Sequence, residues 1–177
     1  MIRVGSQLTF CSPEKILRRS VVQLDEQNTV TGIYSLDDGT VETAQTLFYD
    51  GILSPGIVSL KQRISILEVS DQLKNYQYYD LSIIPPVIEI LRTGKPLILD
   101  FNTSLPEKIN LLLPYLTEVL KAFSIFEIIA ACTYYPSFIM GQSAGLTENS
   151  QNELVLWENA NLIEKILLSN TQVRKMN

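Results

Sequence analysis

The chain has 177 residues, of which 46% are hydrophobic and 19% charged, and its formal net charge is -5. This length accommodates one compact domain, or one domain with a lobe, but not a (β/α)₈ barrel, which needs about 250 residues. The negative charge argues against nucleic acid or an anionic membrane as the main partner, and no window approaches the roughly 18 apolar residues of a membrane span.

The cysteines and the amino terminus indicate the compartment. Cys11 and Cys132 lie far apart in sequence and form no CxxC pattern, so they do not indicate a zinc site. The first residues lack the apolar core of a signal peptide. We therefore expect a cytoplasmic protein with two free, buried thiols, although the pair could in principle form one disulfide.

The first 60 residues predict a small antiparallel sheet. Strands are expected at 7–11, 16–24, 29–36, 46–49 and 51–53. Polar turns separate them, including one at 37–39 in which Gly39 can adopt the positive φ of a tight turn. After a break at Pro55-Gly56, a second short apolar strand is expected to end in two cations, Lys61 and Arg63, at alternate positions.

Beyond Arg63 the pattern becomes mainly helical. We expect one more strand at 64–69, a weak helix at 70–79 and, opened by Pro85-Pro86, a helix through Leu91. The run at 96–101 is almost wholly apolar, which is typical of a strand buried on both faces. Ser104-Leu105-Pro106-Glu107 matches a capping box that would open the next helix.

The helix that begins there has apolar residues three and four apart through Phe123, and Pro114 should kink or divide it. A buried helix is expected at 125–139, a strand at 154–157 and another at 163–168 before a charged tail. The order is β, then α with a buried strand, then β again, which predicts a mixed α+β fold.

Three stretches of this layout carry a family resemblance. Pro55-Gly56-Ile57-Val58 precedes Lys61 and Arg63 within 47–63, the buried strand of 91–105 ends in Phe101-Asn102-Thr103-Ser104, and a helix within 125–158 leads to Leu154-Val155-Leu156. In this order they resemble the amidohydrolase superfamily of metal-dependent hydrolases, and in particular its deaminase-like branch. The chain looks like a truncated, degenerate member that has lost most of the barrel.

The resemblance implies both a domain division and a set of replaced residues. Residues 1–60 and 150–177 would form a composite β domain, a small sheet or sandwich, and 61–149 a reduced, mostly helical α/β lobe. Lys61 and Arg63 stand where the family has two histidines, and Thr103 stands where it has the catalytic aspartate. Asp100 lies three residues earlier, an offset that would point it to the opposite face of a strand.

The sequence contains no histidine, so the imidazole and carboxylate ligands of such a metal centre cannot assemble. We expect no metal, no cofactor and no catalytic residue. Lys61 and Arg63 could bind an anion, occupy the space of the metal, or simply be exposed at a strand end. Candidates for a vestigial or ligand-binding site are Lys61, Arg63, Asp100, Asn102 and Thr103.

Tyrosines form the most unusual local feature. Tyr78, Tyr79, Tyr134 and Tyr135 are interface candidates, because a tyrosine buries its ring while its hydroxyl finds a partner. Core packing at a helix end is equally compatible with these positions. Trp157, in a strand of leucine and valine, is expected in the core or in an interface.

Three hypotheses for function follow. The first is a non-catalytic amidohydrolase remnant that acts as a binding or scaffold protein. Loss of the barrel should uncover apolar surface and a strand edge at 97–99, so we expect a homodimer. The second is a binding module for a small anionic ligand at the vestigial site. The third, a metal-independent hydrolase, lacks a nucleophile paired with a base in the sequence.

Overall fold

The computed structural model describes residues 1–38, 45–82, 90–151 and 153–176. The strands are β1 (Ile2–Ser12), β2 (Lys15–Leu24), β3 (Val30–Ser35), β4 (Thr46–Pro55), β5 (Gln77–Asp80), β6 (Leu97–Asp100), β7 (Leu154–Glu158) and β8 (Gln172–Met176). The helices are α1 (Ser70–Leu73), α2 (Pro106–Val119), α3 (Ile125–Cys132) and α4 (Tyr134–Ile139), and a 3₁₀ turn covers Leu36–Asp38.

Strands from both ends of the chain share one sheet. Its order is β3-β2-β1-β4-β7-β8, and β5 and β6 form a separate parallel pair. The two ends meet where β4 pairs antiparallel with β7, with Ile52 opposite Trp157 and Pro55 opposite Leu154. The predicted α+β fold is confirmed. The division into two domains stays a prediction.

The large sheet is mixed and not wholly antiparallel as predicted. β1 pairs parallel with β4, with Arg3 opposite Thr46 and Thr9 opposite Leu53. A parallel neighbour needs a crossover, and here β2, β3 and the chain after them provide it. Strand β1 is longer than the strand predicted at 7–11. The two strands predicted at 46–49 and 51–53 are one continuous strand, β4.

One hydrophobic cluster joins the sheet to the helices. Phe10 and Trp157 from the sheet pack with Leu113 of α2 and Ile129 of α3, and all four side chains are buried. Trp157 is a core residue, and its indole N–H donates to Ser54 Oγ at 3.0 Å, which satisfies the buried donor. The buried strand predicted at 96–101 is present as β6, every residue of which is buried.

The same burial overturns the expectation of an uncovered edge at 97–99. Leu97, Ile98 and Leu99 all belong to hydrophobic clusters and are at most 3% exposed. Helix α3 packs against this strand, and β5 pairs with it. Any apolar surface for a partner therefore lies elsewhere.

Four strand or helix predictions after Pro55 are wrong. Residues 57–60 and 64–69 form no strand, and the amide of Ile64 donates back to Leu60 O at 3.0 Å. The helix predicted at 70–79 stops after α1, because the tyrosine-rich segment that follows pairs with β6 as a strand. The strand predicted at 163–168 is a loop, and the last strand is β8.

The capping box lies one helix later than predicted. The N-cap of α2 is Leu105, whose amide donates to Thr103 Oγ1 at 3.1 Å, so Ser104 does not cap this helix. Helix α3 has the true box: the Glu127 amide donates to Ser124 Oγ, and the Ser124 amide donates to a Glu127 carboxylate oxygen.

The prolines in the two long helical segments differ in their effect on the helix. Helix α2 continues without division through Pro114, whereas the helix predicted at 125–139 divides at Thr133 into α3 and α4. Pro136 has no amide hydrogen to donate to the carbonyl of Cys132 four residues earlier. That carbonyl instead accepts the Val58 amide at 2.9 Å, which fixes the chain that leads to Lys61.

Two predictions fall on residues that are not described: the turn at Gly39 and the helix opened by Pro85-Pro86. Among the described helices, none combines the length and apolar character needed to cross a membrane.

Candidate functional site

The candidate site lies where β5 and β6 end. The two strands run parallel and in register, which places Asp80 directly opposite Asp100 at their carboxyl ends. Ligand and active sites of α/β sheets form at this edge, because polar side chains from adjacent strands converge there. The chain thus brings two carboxylates together.

Asp100 is fully buried and is surrounded by hydrogen-bond donors. Its Oδ1 accepts from the Ser59 hydroxyl at 2.8 Å and from the Asn102 amide at 2.9 Å. Its Oδ2 accepts from the Lys61 amide at 3.0 Å and from the Tyr78 hydroxyl at 3.2 Å. A buried carboxylate is stable only when its oxygens are partnered in this way. The sequence left the role of Asp100 open and did not indicate Ser59.

Tyr78 reaches into this network from β5, two residues before the strand ends. Burial, the nearby charge of Asp100 and the hydrogen bond to it raise the pKa of Tyr78 well above the usual range. The phenol therefore stays protonated at neutral pH and donates its hydrogen to the carboxylate. The hydroxyl of this interface candidate thus finds its partner inside the chain.

Lys61 forms an ion pair with the second carboxylate. Its ammonium group bonds to Asp80 Oδ2, and both side chains are about one-third exposed. Asp80 Oδ1 also accepts from the amide and hydroxyl of Ser82 at 3.0 and 2.5 Å. Burial acts to raise the pKa of Asp80, but the hydrogen bonds from Lys61 and Ser82 outweigh it and lower that pKa. The charge of Lys61 is therefore neutralised locally.

Arg63 lies away from this network. Residues 61–63 form a turn and not a strand, so Lys61 and Arg63 do not project from alternate strand positions. Arg63 lines a different cleft of about 560 Å³, which it shares with Glu153 and polar residues such as Gln142. Within the described ranges no carboxylate forms an ion pair with Arg63, and Glu153 bonds instead to Lys175 at 2.6 Å.

The remaining two candidates have local roles. Asn102 has φ 52°, a conformation that asparagine tolerates, and its carbonyl accepts from Gln62 Nε2 at 2.9 Å. Thr103 is buried, and its hydroxyl oxygen accepts the Leu105 amide at the start of α2. The fold thus brings Lys61, Asp100 and the Asn102 backbone together, while Arg63 and the Thr103 hydroxyl have contacts elsewhere.

The two cysteines are free and buried, as expected. Burial raises the pKa of the Cys132 thiol above its usual range, and the charge of Asp100 raises it further. Burial also raises the pKa of Cys11, against a smaller opposing effect of Lys15. Neither thiol is activated as a nucleophile, because nucleophilic attack requires the thiolate.

The residues present do not fit the metal centre that the family resemblance implies. The chain has no histidine, and the described residues contain no group of three His, Cys, Asp or Glu side chains placed to hold a metal ion. The oxygens of Asp100 already accept four hydrogen bonds, and the Lys61 ammonium lies beside Asp80 where a cation would have to bind.

The other three interface candidates pack within the chain. Tyr79, Tyr134 and Tyr135 are half-buried against the main hydrophobic cluster. The Tyr134 and Tyr135 rings lie edge to face with centroids 5.5 Å apart, and Tyr135 also contacts Tyr76 at 5.6 Å. Their contact with a partner chain stays a prediction.

Comparison with known proteins gives partial structural similarity. No family model and no curated protein matches the sequence. The structure is similar to N-acetyl-D-glucosamine-6-phosphate deacetylase from Mycobacterium smegmatis, with 10% identity, a TM-score of 0.27 and coverage of 69% of this chain and 30% of that chain. It is also similar to E. coli guanine deaminase, with 14% identity, a TM-score of 0.26 and coverage of 72% and 27%. Both are amidohydrolase-family enzymes, and the chain spans less than a third of each.

Proposed function

We propose that this chain is a cytoplasmic, non-catalytic remnant of a metal-dependent amidohydrolase, and that it acts as a binding or scaffold protein that self-associates. The observation that carries the proposal is the state of the two carboxylates at the ends of β5 and β6. Asp100 accepts four hydrogen bonds from the protein, and Asp80 is paired with the Lys61 ammonium. These two carboxylates thus hold three segments of the chain together and are not free to bind a metal or activate water.

Metal-free hydrolysis is also disfavoured by burial. The Ser59 hydroxyl donates to Asp100 Oδ1 at 2.8 Å, which formally pairs a nucleophile with a base. Ser59 is only 1% exposed and Asp100 is 0% exposed, so a substrate carbonyl has no route to the hydroxyl. A catalytic pair must lie within reach of the bond it cleaves.

An anionic ligand at the vestigial site, the alternative raised by the sequence, gains no support from the contacts there. The Lys61 charge is already paired with Asp80, and Arg63 lines a separate cleft. A ligand that bound at Lys61 would first have to break that ion pair. The scaffold hypothesis needs no such rearrangement.

Self-association is supported by apolar side chains on the outer face of α2. Leu111 and Tyr115 lie one helical turn apart and are 72% and 65% exposed. Adjacent large apolar side chains at this exposure are typical of contact surfaces. A two-fold dimer is the commonest arrangement for a soluble homo-oligomer, so we propose that two copies pair through this face.

Sedimentation velocity at micromolar concentration tests the dimer. We expect the wild type to sediment as a dimer and the double variant Leu111→Gln/Tyr115→Gln as a monomer, because glutamine keeps the helix but removes the apolar face. Leu67→Gln, at a residue that is 84% exposed outside α2, is the matched control and should stay dimeric. A wild-type monomer throughout the concentration range would refute self-association.

The non-catalytic part of the proposal has its own test. Purified protein is incubated with simple amides, acetylated amines and aminopurines, with and without added zinc and with a chelator. We expect no turnover in any arm. Hydrolysis or deamination that the chelator abolishes would show that a metal centre forms after all.

A further inference from the structure

A second cleft, of about 700 Å³, lies between the sheet and the loop that precedes β8. Strands β1 and β2, the start of α3 and residues 162–165 contribute to its walls. Its volume falls within the range of about 300–1,000 Å³ that is typical of small-molecule sites. None of the residues at the ends of β5 and β6 lines it.

One wall of this cleft is apolar. Leu8, Ile16, Phe126 and Leu162 are partly buried and pack against the main hydrophobic cluster from outside. Leu8 lies opposite Arg18 in the β1–β2 register, and Ile16 lies two residues before Arg18. Paired residues, and residues two apart on one strand, share a face. The register therefore places an arginine beside the apolar wall.

The rim of the cleft is cationic. Arg18, Arg19 and Lys165 line it, and Asp37 is the one carboxylate among its described lining residues, in a protein whose net charge is -5. Arg19 pairs with Asp37 at 3.5 Å. Across the described part of the chain, Arg18 and Lys165 form no ion pair with a carboxylate. Two positive charges beside the apolar wall therefore have no carboxylate partner among the described residues.

The loop that carries Lys165 is held in place by hydrogen bonds. The Lys165 carbonyl accepts the Ile125 amide at 2.6 Å, which ties the loop to the start of α3. Asn161 and Ile166 exchange amide-to-carbonyl bonds across the loop at 3.1 and 3.2 Å. The cation is therefore presented from an ordered backbone at one end of the cleft.

We propose that this cleft binds an amphipathic organic anion, with its aliphatic or aromatic body against Leu8, Ile16 and Phe126 and its carboxylate between Arg18 and Lys165. The apolar wall removes the body of the ligand from water, and the two cations give charge-assisted hydrogen bonds to the head group. The site is separate from the Asp100 network, so it goes beyond the scaffold function.

Isothermal titration with sodium decanoate, below the concentration at which it forms micelles, tests this site. We expect one binding site per chain. The variant Arg18→Gln/Lys165→Gln should weaken binding by roughly tenfold or more, since charge-assisted hydrogen bonds are lost. The variant Lys108→Gln/Lys121→Gln removes two positive charges from the exposed surface of another region and should bind decanoate like the wild type.

Three outcomes of the titration would overturn the proposal: no binding of decanoate, equal weakening in both double variants, or equally tight binding of decyltrimethylammonium, which has the same alkyl chain and the opposite charge.

Amide chemical shifts provide a second readout. We expect decanoate to shift the amides around Leu8, Ile16 and Phe126, and shifts confined to other regions would place the ligand elsewhere. Circular dichroism confirms that each variant is folded.

Discussion

Charged side chains lie both at the ends of β5 and β6 and in the cleft beside β2, but the two groups differ in their burial and pairing. At the strand ends, Asp100 is buried with four donors and Asp80 is paired with Lys61. At the cleft, Arg18 and Lys165 are exposed, and no described carboxylate forms an ion pair with them. The first region stabilises the fold, while the second keeps positive charge available for a ligand.

The difference shows which charged groups of this chain are available to bind a ligand. A polar group contributes to a ligand site only when its hydrogen-bonding capacity is not used within the protein. The family resemblance drew attention to Lys61, whose ammonium group is already paired. The charges without an ion pair among the described residues, Arg18 and Lys165, lie on a strand and a loop that no motif indicated.

The largest predicted effect is that of Asp100→Asn. The amide group that replaces one carboxylate oxygen would face donors with another donor, so we expect a loss of about 3 kcal/mol in the free energy of unfolding. Urea denaturation measures it. Asp71→Asn, at an exposed carboxylate on α1, is the control and should change stability by less than about 0.5 kcal/mol. Equal stability of both variants would remove the distinction between the two regions.

Tyr78→Phe should lower the free energy of unfolding by less, about 1–2 kcal/mol, because it removes one hydrogen-bond donor to Asp100 and leaves the ring. The pKa of Tyr78 is raised in the folded protein. Its contribution is therefore fully present below the unfolded pKa of about 10 and is lost as pH rises through the folded pKa.

Unfolding of wild type and Tyr78→Phe across alkaline pH tests this dependence. The stability difference should shrink only above about pH 10. A difference that stays constant into strong alkali would argue against the hydrogen bond. Tyr34→Phe, at a partly exposed tyrosine of β3, controls for general alkaline effects.

The Lys61–Asp80 pair should contribute less than about 1 kcal/mol, since both side chains are partly exposed. A double-mutant cycle with Lys61→Gln and Asp80→Asn measures the coupling. The pKa of Asp80 is lowered in the folded protein, so the coupling should be fully present above the unfolded pKa of about 3.9 and be lost as pH falls through the lower folded pKa. Coupling that survives in strong acid would show that the pair is not ionic.

Arg18→Gln should have the smallest effect on stability, within about 0.5 kcal/mol, because the side chain is exposed and forms no ion pair with a described carboxylate. The same urea experiment measures it. A loss as large as that of Tyr78→Phe would mean that the cation stabilises the fold, and the contrast between the two regions would fail.

The sequence predicted what depends on local pattern. The α+β class and the buried strand β6 follow from apolar runs and from the order of the elements, and the core position of Trp157 is one of the two expected for it. The sequence did not reveal the Asp100 donors, because Ser59 lies 41 residues away and meets Asp100 only after the chain has folded. No local pattern encodes such a contact.

The errors near the candidate site have physical causes. Lys61 and Arg63 were expected at alternate strand positions, but residues 61–63 form a turn and separate the two cations. The capping box expected at Ser104 does not form, because the Leu105 amide donates to Thr103 Oγ1 at the start of α2. The helix expected at 125–139 breaks at Thr133, one turn before Pro136, while α2 is not divided at Pro114.

The most direct test asks whether these carboxylates serve the fold or a metal. Protein that has been stripped with a chelator is titrated with zinc in a calorimeter, and its unfolding temperature is measured with and without the metal. We expect no tight binding and an unchanged unfolding temperature, because Asp100 and Asp80 are already engaged by protein donors. One tightly bound zinc ion per chain that raises the unfolding temperature, and that Asp100→Asn abolishes, would contradict this prediction.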